Sequence, residues 1–317
     1  MARPILLDVD TGTDDALAIL YAVRHPDLDV IGISCVAGNS SVEQVVTNTL
    51  KVLDAADAPY VPVARGAAHP MVEPSRPESA YHGVDGLGGI VLPEPARSPS
   101  GLTAVEMLYR QITASSEAVT LVGLAPQTNV AMLLAMYPEV TANLERIVFM
   151  GGSAGGGNVT AVAEFNIWSD PEAAACVIES PVPTAMYGLD VFTRLAVDQQ
   201  TALRFTGSTH RGLRLAGELL YHRGARSNRS GRDYLGLIGD AGALVYLTNP
   251  ELFTVRHLPV RINLGGIGRG QTIVDQRPVA QEEATWANDP WPRIEVVLDA
   301  DLGAAANAFT GTLDTFG

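Results

Sequence analysis

Short apolar runs alternate with amphipathic segments over the first two-thirds of the chain. Ile5 to Leu7 is an unbroken apolar run of strand character, and Ala16 to Val23 is an apolar run of helical character. Val30 to Ala37 reads as a second strand, and Val42 to Ala56 as a helix with Ser41 at its N-cap. Val61 to Ala64 is a short third strand. The alternation resumes with a helix over 103–115, a strand over 119–124, a helix over 128–136, a strand over 146–150, a helix over 170–180 and a strand over 184–189. Strands apolar throughout their length belong to a sheet covered on both faces. The pattern predicts an α/β fold: one domain over 1–317, a mostly parallel open sheet, and helices on both faces. Such sheets bind ligands at the carboxyl ends of their strands. Asp10, Asn39, Leu124 and Met150 all fall at that edge.

Two segments break the pattern. Residues 65–99 are rich in Pro and Gly, carry His69 and His82, and include Tyr81-His82-Gly83-Val84-Asp85-Gly86. A loop this long within a compact domain is usually functional or disordered, and here it is expected to form part of a site. Beyond Gln199 the chain becomes more helical. Residues 209–223 are amphipathic, and 225–232, with Arg226, Arg229 and Arg232, read as a loop. Residues 222–240 are thus the second expected site-forming segment. Ile238 to Ala243 leads into an apolar helix, and strands near 261–264 and 295–298 close the domain.

Composition narrows the classes of partner. A net charge of −14 disfavours nucleic acid, while 47% hydrophobic and 18% charged residues suit a globular protein with a large core. Cys35 and Cys176 each lie in an apolar segment, where buried reduced thiols are expected. The opening residues run directly into a strand, and no apolar run reaches membrane-spanning length. The expectation is a cytoplasmic protein without a membrane partner.

The opening strand carries the chemistry. Asp8, Asp10, Asp14 and Asp15 lie within eight positions, and four acids this close repel one another unless a cation turns repulsion into ligation. Asp8-Val9-Asp10-Thr11-Gly12-Thr13 resembles the D-x-D-x-T motif of haloacid-dehalogenase-type phosphatases. Those need a distant lysine, and the lone Lys51 falls inside a helix. That resemblance also leaves Asp14 and Asp15 without work.

Asp8 through Ala16 also resembles the D-x-D-x-G-x-D-D-A signature of the inosine–uridine-preferring nucleoside hydrolases, with Thr11 where the family commonly has proline. The resemblance recurs at Val36-Ala37-Gly38-Asn39, Leu124 through Ala131, Met150-Gly151-Gly152, Gly157 through Asn166, and Asp170 through Ala174. It implies a Rossmann-like nucleoside hydrolase fold and calcium-dependent hydrolysis of a ribonucleoside to base and ribose. By the same resemblance, Asp10, Asp15, Asp240 and the Leu124 carbonyl hold Ca2+, and Asp10 is the base. Asp14, Asn39, Met150, Asn158, Glu164 and Asn166 would bind ribose, with Asp8 supporting the site from behind. His82, Tyr221, Arg223 and Tyr234 are base-pocket candidates. Relatives assemble as dimers or tetramers. One departure stands out: Gly239 replaces the histidine many members carry before the aspartate matching Asp240. Without that general acid, a purine activated by N7 protonation or stacking is the expected base, and the glycine is expected to widen the pocket as well. The competing class is a sugar- or nucleoside-binding protein with weakened catalysis.

Overall fold

A computed structural model of the chain describes residues 2–75, 82, 83, 85–229, 234–277 and 291–316, and for 226–229 the backbone alone. Tyr81, Val84 and Arg232 lie outside the described residues. The first strand, β1 (Arg3–Val9), passes through Gly12 into α1 (Thr13–Arg24). Two further strand–helix steps follow: β2 (Leu28–Cys35) with α2 (Val42–Ala55), and β3 (Val63–Arg65) with α3 (Ala104–Ala114). Ser41 caps α2 by accepting the Gln44 N–H, and a Thr103–Glu106 capping box starts α3. The chain continues through β4 (Val119–Gly123), α4 (Thr128–Met136), β5 (Leu144–Met150), α5 (Phe165–Ser169), α6 (Pro171–Ile178) and β6 (Thr184–Tyr187).

Next come α7 (Leu189–Phe192), β7 (Ala196–Val197), α8 (Gln199–Thr206), α9 (Arg211–Arg229), β8 (Gly236–Leu237) and α10 (Ala241–Thr248). The last elements are β9 (Phe253–Ile262), β10 (Thr272–Val274), β11 (Arg293–Ala300) and α11 (Leu302–Asp314). Among the described residues the main sheet runs β10-β9-β11-β6-β5-β4-β1-β2-β3. From β3 to β11 the neighbours pair in parallel, and β9 and β10 add an antiparallel edge. This is the expected α/β architecture.

Both faces of β1 are buried, as its apolar run requires. Ile5, Leu7 and Val9 pack on the side of Leu17 and Leu20 of α1. Leu6 faces the other way, toward Val105, Met107 and Leu108 of α3. The chain leaves β1 toward β2 and β3, then returns to β4 on β1's opposite side. The crevice between β1 and β4 is therefore the topological switch point, where such sheets take their ligands.

Two expectations need correction. Residues 225–229 are the last turn of α9 rather than loop, so the segment 222–240 begins as helix. Arginine is a good helix former, and its charge alone does not end a helix. Cys176 is exposed while Cys35 is buried, because α6 turns only part of its small-residue surface inward. The short α5 and the terminal α11 were not foreseen. No described helix is long and apolar enough to cross a membrane.

Candidate active site

The site begins where β1 ends. Gly12 starts α1 without a side-chain cap; instead Asp15 reaches back, its Oδ2 accepting the Gly12 N–H at 2.9 Å and its Oδ1 the Asp10 N–H at 3.2 Å. This fold-back pins Asp15 beneath the strand end. Asp10 Oδ2 accepts the Asn39 N–H at 2.7 Å. Gly38 passes so close to that carboxylate that any Cβ would overlap it. Asp10 Oδ1 is buried with no hydrogen-bond partner among the described residues.

Asp14, Asp15 and Asp240 each bring a carboxylate oxygen within 4.8 Å of the others, all buried. Asp10, expected in this set, stands beside it, turned toward Asn39; Asp14, expected on the sugar, stands within it. Burial pushes the Asp10 and Asp240 carboxyls well above the usual carboxylate range. The neighbouring acids push the same way: Asp15 and Asp14 act on Asp10, and Asp14, Asp15 and Asp10 act on Asp240. Burial and then Asp14 raise Asp15 to about 7. Asp14 moves the opposite way. Its burial would raise it, but the Arg223 guanidinium and then His82 together outweigh that and hold it low. Oxygen donors, crowded carboxylates and an unpartnered buried oxygen on Asp10 fit a hard divalent cation.

Asn166 ties β4 to β5 at this edge, its Nδ2 donating to the carbonyls of Leu124 at 3.0 Å and Met150 at 3.1 Å. Glu164 caps α5, accepting N–H groups from Asn166, Ile167 and Gly152. Burial nonetheless lifts its carboxyl to about 7. Asn158 is exposed and accepts the Phe165 N–H at 3.0 Å. Asp8 lies behind the cluster, its Oδ1 accepting Ser34 Oγ at 2.6 Å and Asn129 Nδ2 at 2.8 Å. Asn129 lies within the matched stretch Leu124 through Ala131, and the resemblance assigns it no role. It joins the Asp8 carboxylate on β1, the Cys35 carbonyl at the end of β2 and the Ala67 N–H just after β3. A buried polar residue in the apolar run of α4 was the available signal.

The base-pocket candidates divide. His82 is buried against α1, its Nδ1 accepting the Thr13 N–H at 3.2 Å and lying 3.6 Å from Asp14 Oδ1. Arg223 is buried too, and reaches Thr13 and Asp14. Tyr221 is exposed. Tyr234 lies across Gly224 and donates its hydroxyl to the Leu220 carbonyl at 3.0 Å, so it packs back on α9. Gly239 does not widen a pocket. A Cβ there would overlap Asp14 and lie 3.1 Å from Arg223 Nη2, so the space is already filled. Lys51, the lysine a phosphatase would need, pairs with Glu94 at 2.9 Å on the surface.

The sequence model described as inosine-uridine preferring nucleoside hydrolase matches residues 5–307. The chain belongs to that family. The nucleoside hydrolase is 40% identical over 281 residues to the pyrimidine-specific ribonucleoside hydrolase RihA of Escherichia coli O9:H4 (strain HS), covering 87% of this chain and 89% of that one. RihA of Shigella boydii serotype 4 (strain Sb227) is 38% identical over 307 residues, 95% of each chain. In fold it is similar to the purine-preferring ribonucleoside hydrolase from Gardnerella vaginalis, with a TM-score of 0.87 at 28% identity over 99% of both chains. Membership makes this nucleoside hydrolase an N-glycosyl hydrolase of ribonucleosides, with a carboxylate cluster able to hold a metal ion.

Proposed function

We propose that this nucleoside hydrolase cleaves pyrimidine ribonucleosides in preference to purine ones, with calcium held by Asp10, Asp15, Asp240 and the Leu124 carbonyl. The observation that carries the mechanism is Asp10 Oδ1, a buried oxygen without a partner beside the acidic cluster. The Asn39 N–H fixes the other oxygen, Oδ2, and so leaves Oδ1 to take the proton of the attacking water. Calcium, when bound, supplies the positive charge that orients this water and makes it more acidic. The sugar develops oxocarbenium character as its bond to the base lengthens, and the surrounding carboxylates stabilise that charge.

Ribose is received by Asp14, Asn39, Met150, Asn158, Glu164 and Asn166. Asn166 donates its amide N–H groups to the Leu124 and Met150 carbonyls, which leaves its oxygen for the sugar. Glu164 is fixed by its backbone partners before any substrate arrives. Purines were expected from the absent histidine acid, and from space at Gly239 as well; that space is filled. The 40% identity to a pyrimidine-specific enzyme supports pyrimidines more than the 28% identity to a purine-preferring one supports purines. Assembly as a dimer or tetramer and a cytoplasmic location belong to the same proposal.

Release of reducing sugar from uridine, cytidine, inosine, adenosine and guanosine at equal concentration, with and without chelator, tests it. Uridine and cytidine are expected to be cleaved faster, and chelation to stop turnover until calcium is restored. Asp10→Asn should lower kcat by at least about 100-fold. Faster cleavage of purines would reverse the base assignment, and near-normal Asp10→Asn turnover would remove Asp10 as the base. Binding without any turnover would leave a nucleoside-binding protein.

A further inference from the structure

The Arg223 side chain is 1% exposed, and a buried guanidinium is costly unless its surroundings are arranged for it. Here they are. Nε donates to the Leu237 carbonyl at 2.8 Å, Nη1 donates to Thr13 Oγ1 at 2.9 Å, and Nη1 lies 3.1 Å from Asp14 Oδ2. The arginine thus ties α9 and β8 to the first turn of α1, where the site's acids begin. The two oxygens of Asp14 are addressed differently. Oδ2 faces Arg223, whereas Oδ1 faces His82 at 3.6 Å and has no hydrogen-bond partner among the described residues.

Asp14 has an alternative to meeting the sugar. Its carboxylate already lies within 4.8 Å of Asp15 and Asp240, close enough to be drawn onto a cation as another ligand. A fixed positive charge on Oδ2 opposes that. Gly239 belongs to the same arrangement: it has φ of +61°, and a Cβ would overlap Asp14 and crowd Arg223 Nη2.

We infer that Arg223 is a positioning residue that sets the site's demand for a 2′-hydroxyl, by holding Asp14 Oδ2 so that Oδ1 is left for the sugar and Asp14 stays off the metal. This rests on the proposed reading of Asp14 as a ribose contact. Arg223 itself does not touch the substrate. Its effect passes through Asp14, and it appears only with substrates that carry the 2′-hydroxyl.

The experiment compares Arg223→Gln, Arg223→Lys, Asp14→Asn and the Arg223→Gln/Asp14→Asn double variant, each checked for native thermal unfolding. The assay uses uridine and 2′-deoxyuridine, the latter by turnover or as an inhibitor, together with calcium titration calorimetry. Loss of a charge-assisted contact predicts a fall in kcat/KM for uridine of about 10- to 100-fold in Arg223→Gln. For 2′-deoxyuridine the change should stay below about threefold, since no 2′-hydroxyl is lost from recognition. Calcium should bind Arg223→Gln as tightly as wild type or more tightly, because a neighbouring positive charge has gone. The double variant should lose little beyond Asp14→Asn alone.

Lysine keeps the charge but not the planar fork, so Arg223→Lys should recover part of the loss. Equal losses on both substrates, weakened calcium binding, or additive losses in the double variant would each overturn the inference. If Asp14→Asn leaves the ribose preference intact, the reading of Asp14 fails first. If Asp14→Asn removes that preference while Arg223→Gln retains it, the inference about Arg223 fails alone.

Discussion

Gly239 shows how one residue can be constrained from two sides. Its φ of +61° disfavours any side chain, and the volume a Cβ needs is held by Asp14 and Arg223. Gly239→Ala should cost about 1–3 kcal/mol in thermal or urea unfolding, and should lower turnover by displacing Asp14. Gly239→His should not improve cleavage of any nucleoside, since the imidazole has nowhere to lie. Both outcomes are read from unfolding curves and initial rates. The missing histidine was visible in the sequence; that its space is filled by Asp14 and crowded by a buried arginine was not. Arg223 was singled out by its place in the chain, whereas its partners Thr13, Asp14 and Leu237 lie 210, 209 and 14 positions away.

At the scale of elements, capping residues do more than end helices. Asp170 caps α6 through the Ala173 N–H, while its Oδ2 accepts Thr128 Oγ1 of α4 at 2.7 Å and the Met71 N–H at 2.9 Å. Asp170→Ala strands those donors and should destabilise the protein by about 2–3 kcal/mol in denaturant unfolding. A second network joins β5, α10 and β11: Arg146 pairs with Glu295, and Tyr246 donates its hydroxyl to Glu295 at 2.6 Å.

Partial burial alone would raise Glu295, but the Tyr246 hydroxyl and the Arg146 charge hold it below the usual glutamate range. A lowered folded-state pKa contributes stability above the unfolded value, and that contribution is lost as pH falls through the folded one. Glu295→Gln should therefore be less stable than wild type near pH 7, by about 1 kcal/mol for so exposed a pair, with the gap closing in acid. Urea unfolding at several pH values reads it. Most strands and helices were legible because their apolar periodicity is strong. The five-residue α5 is too short to show a period, and the end of α9 was hidden because its arginines resemble loop composition.

For the whole molecule, the order of strands makes the site. The acids of the β1–α1 turn and Asp240 before α10 meet only once the sheet has formed. A cation bound there holds the native state and not the unfolded chain. At about a hundredfold excess over its Kd, calcium should add about 2.7 kcal/mol to stability, seen as a higher unfolding temperature that chelator reverses. Unfolding unaffected by calcium or chelator would speak against a structural calcium site.

By itself the sequence determined the parallel α/β fold, the acidic turn after the first strand and the family, because these depend on local periodicity and on motifs of adjacent residues. The tertiary structure decided which oxygens are engaged and which are left open. It turned Asp10 toward Asn39, placed Asp14 among the acids under the hold of Arg223, and gave Gly239's space to that pair. Those outcomes depend on distances between segments far apart in the chain, and chain order does not encode them locally.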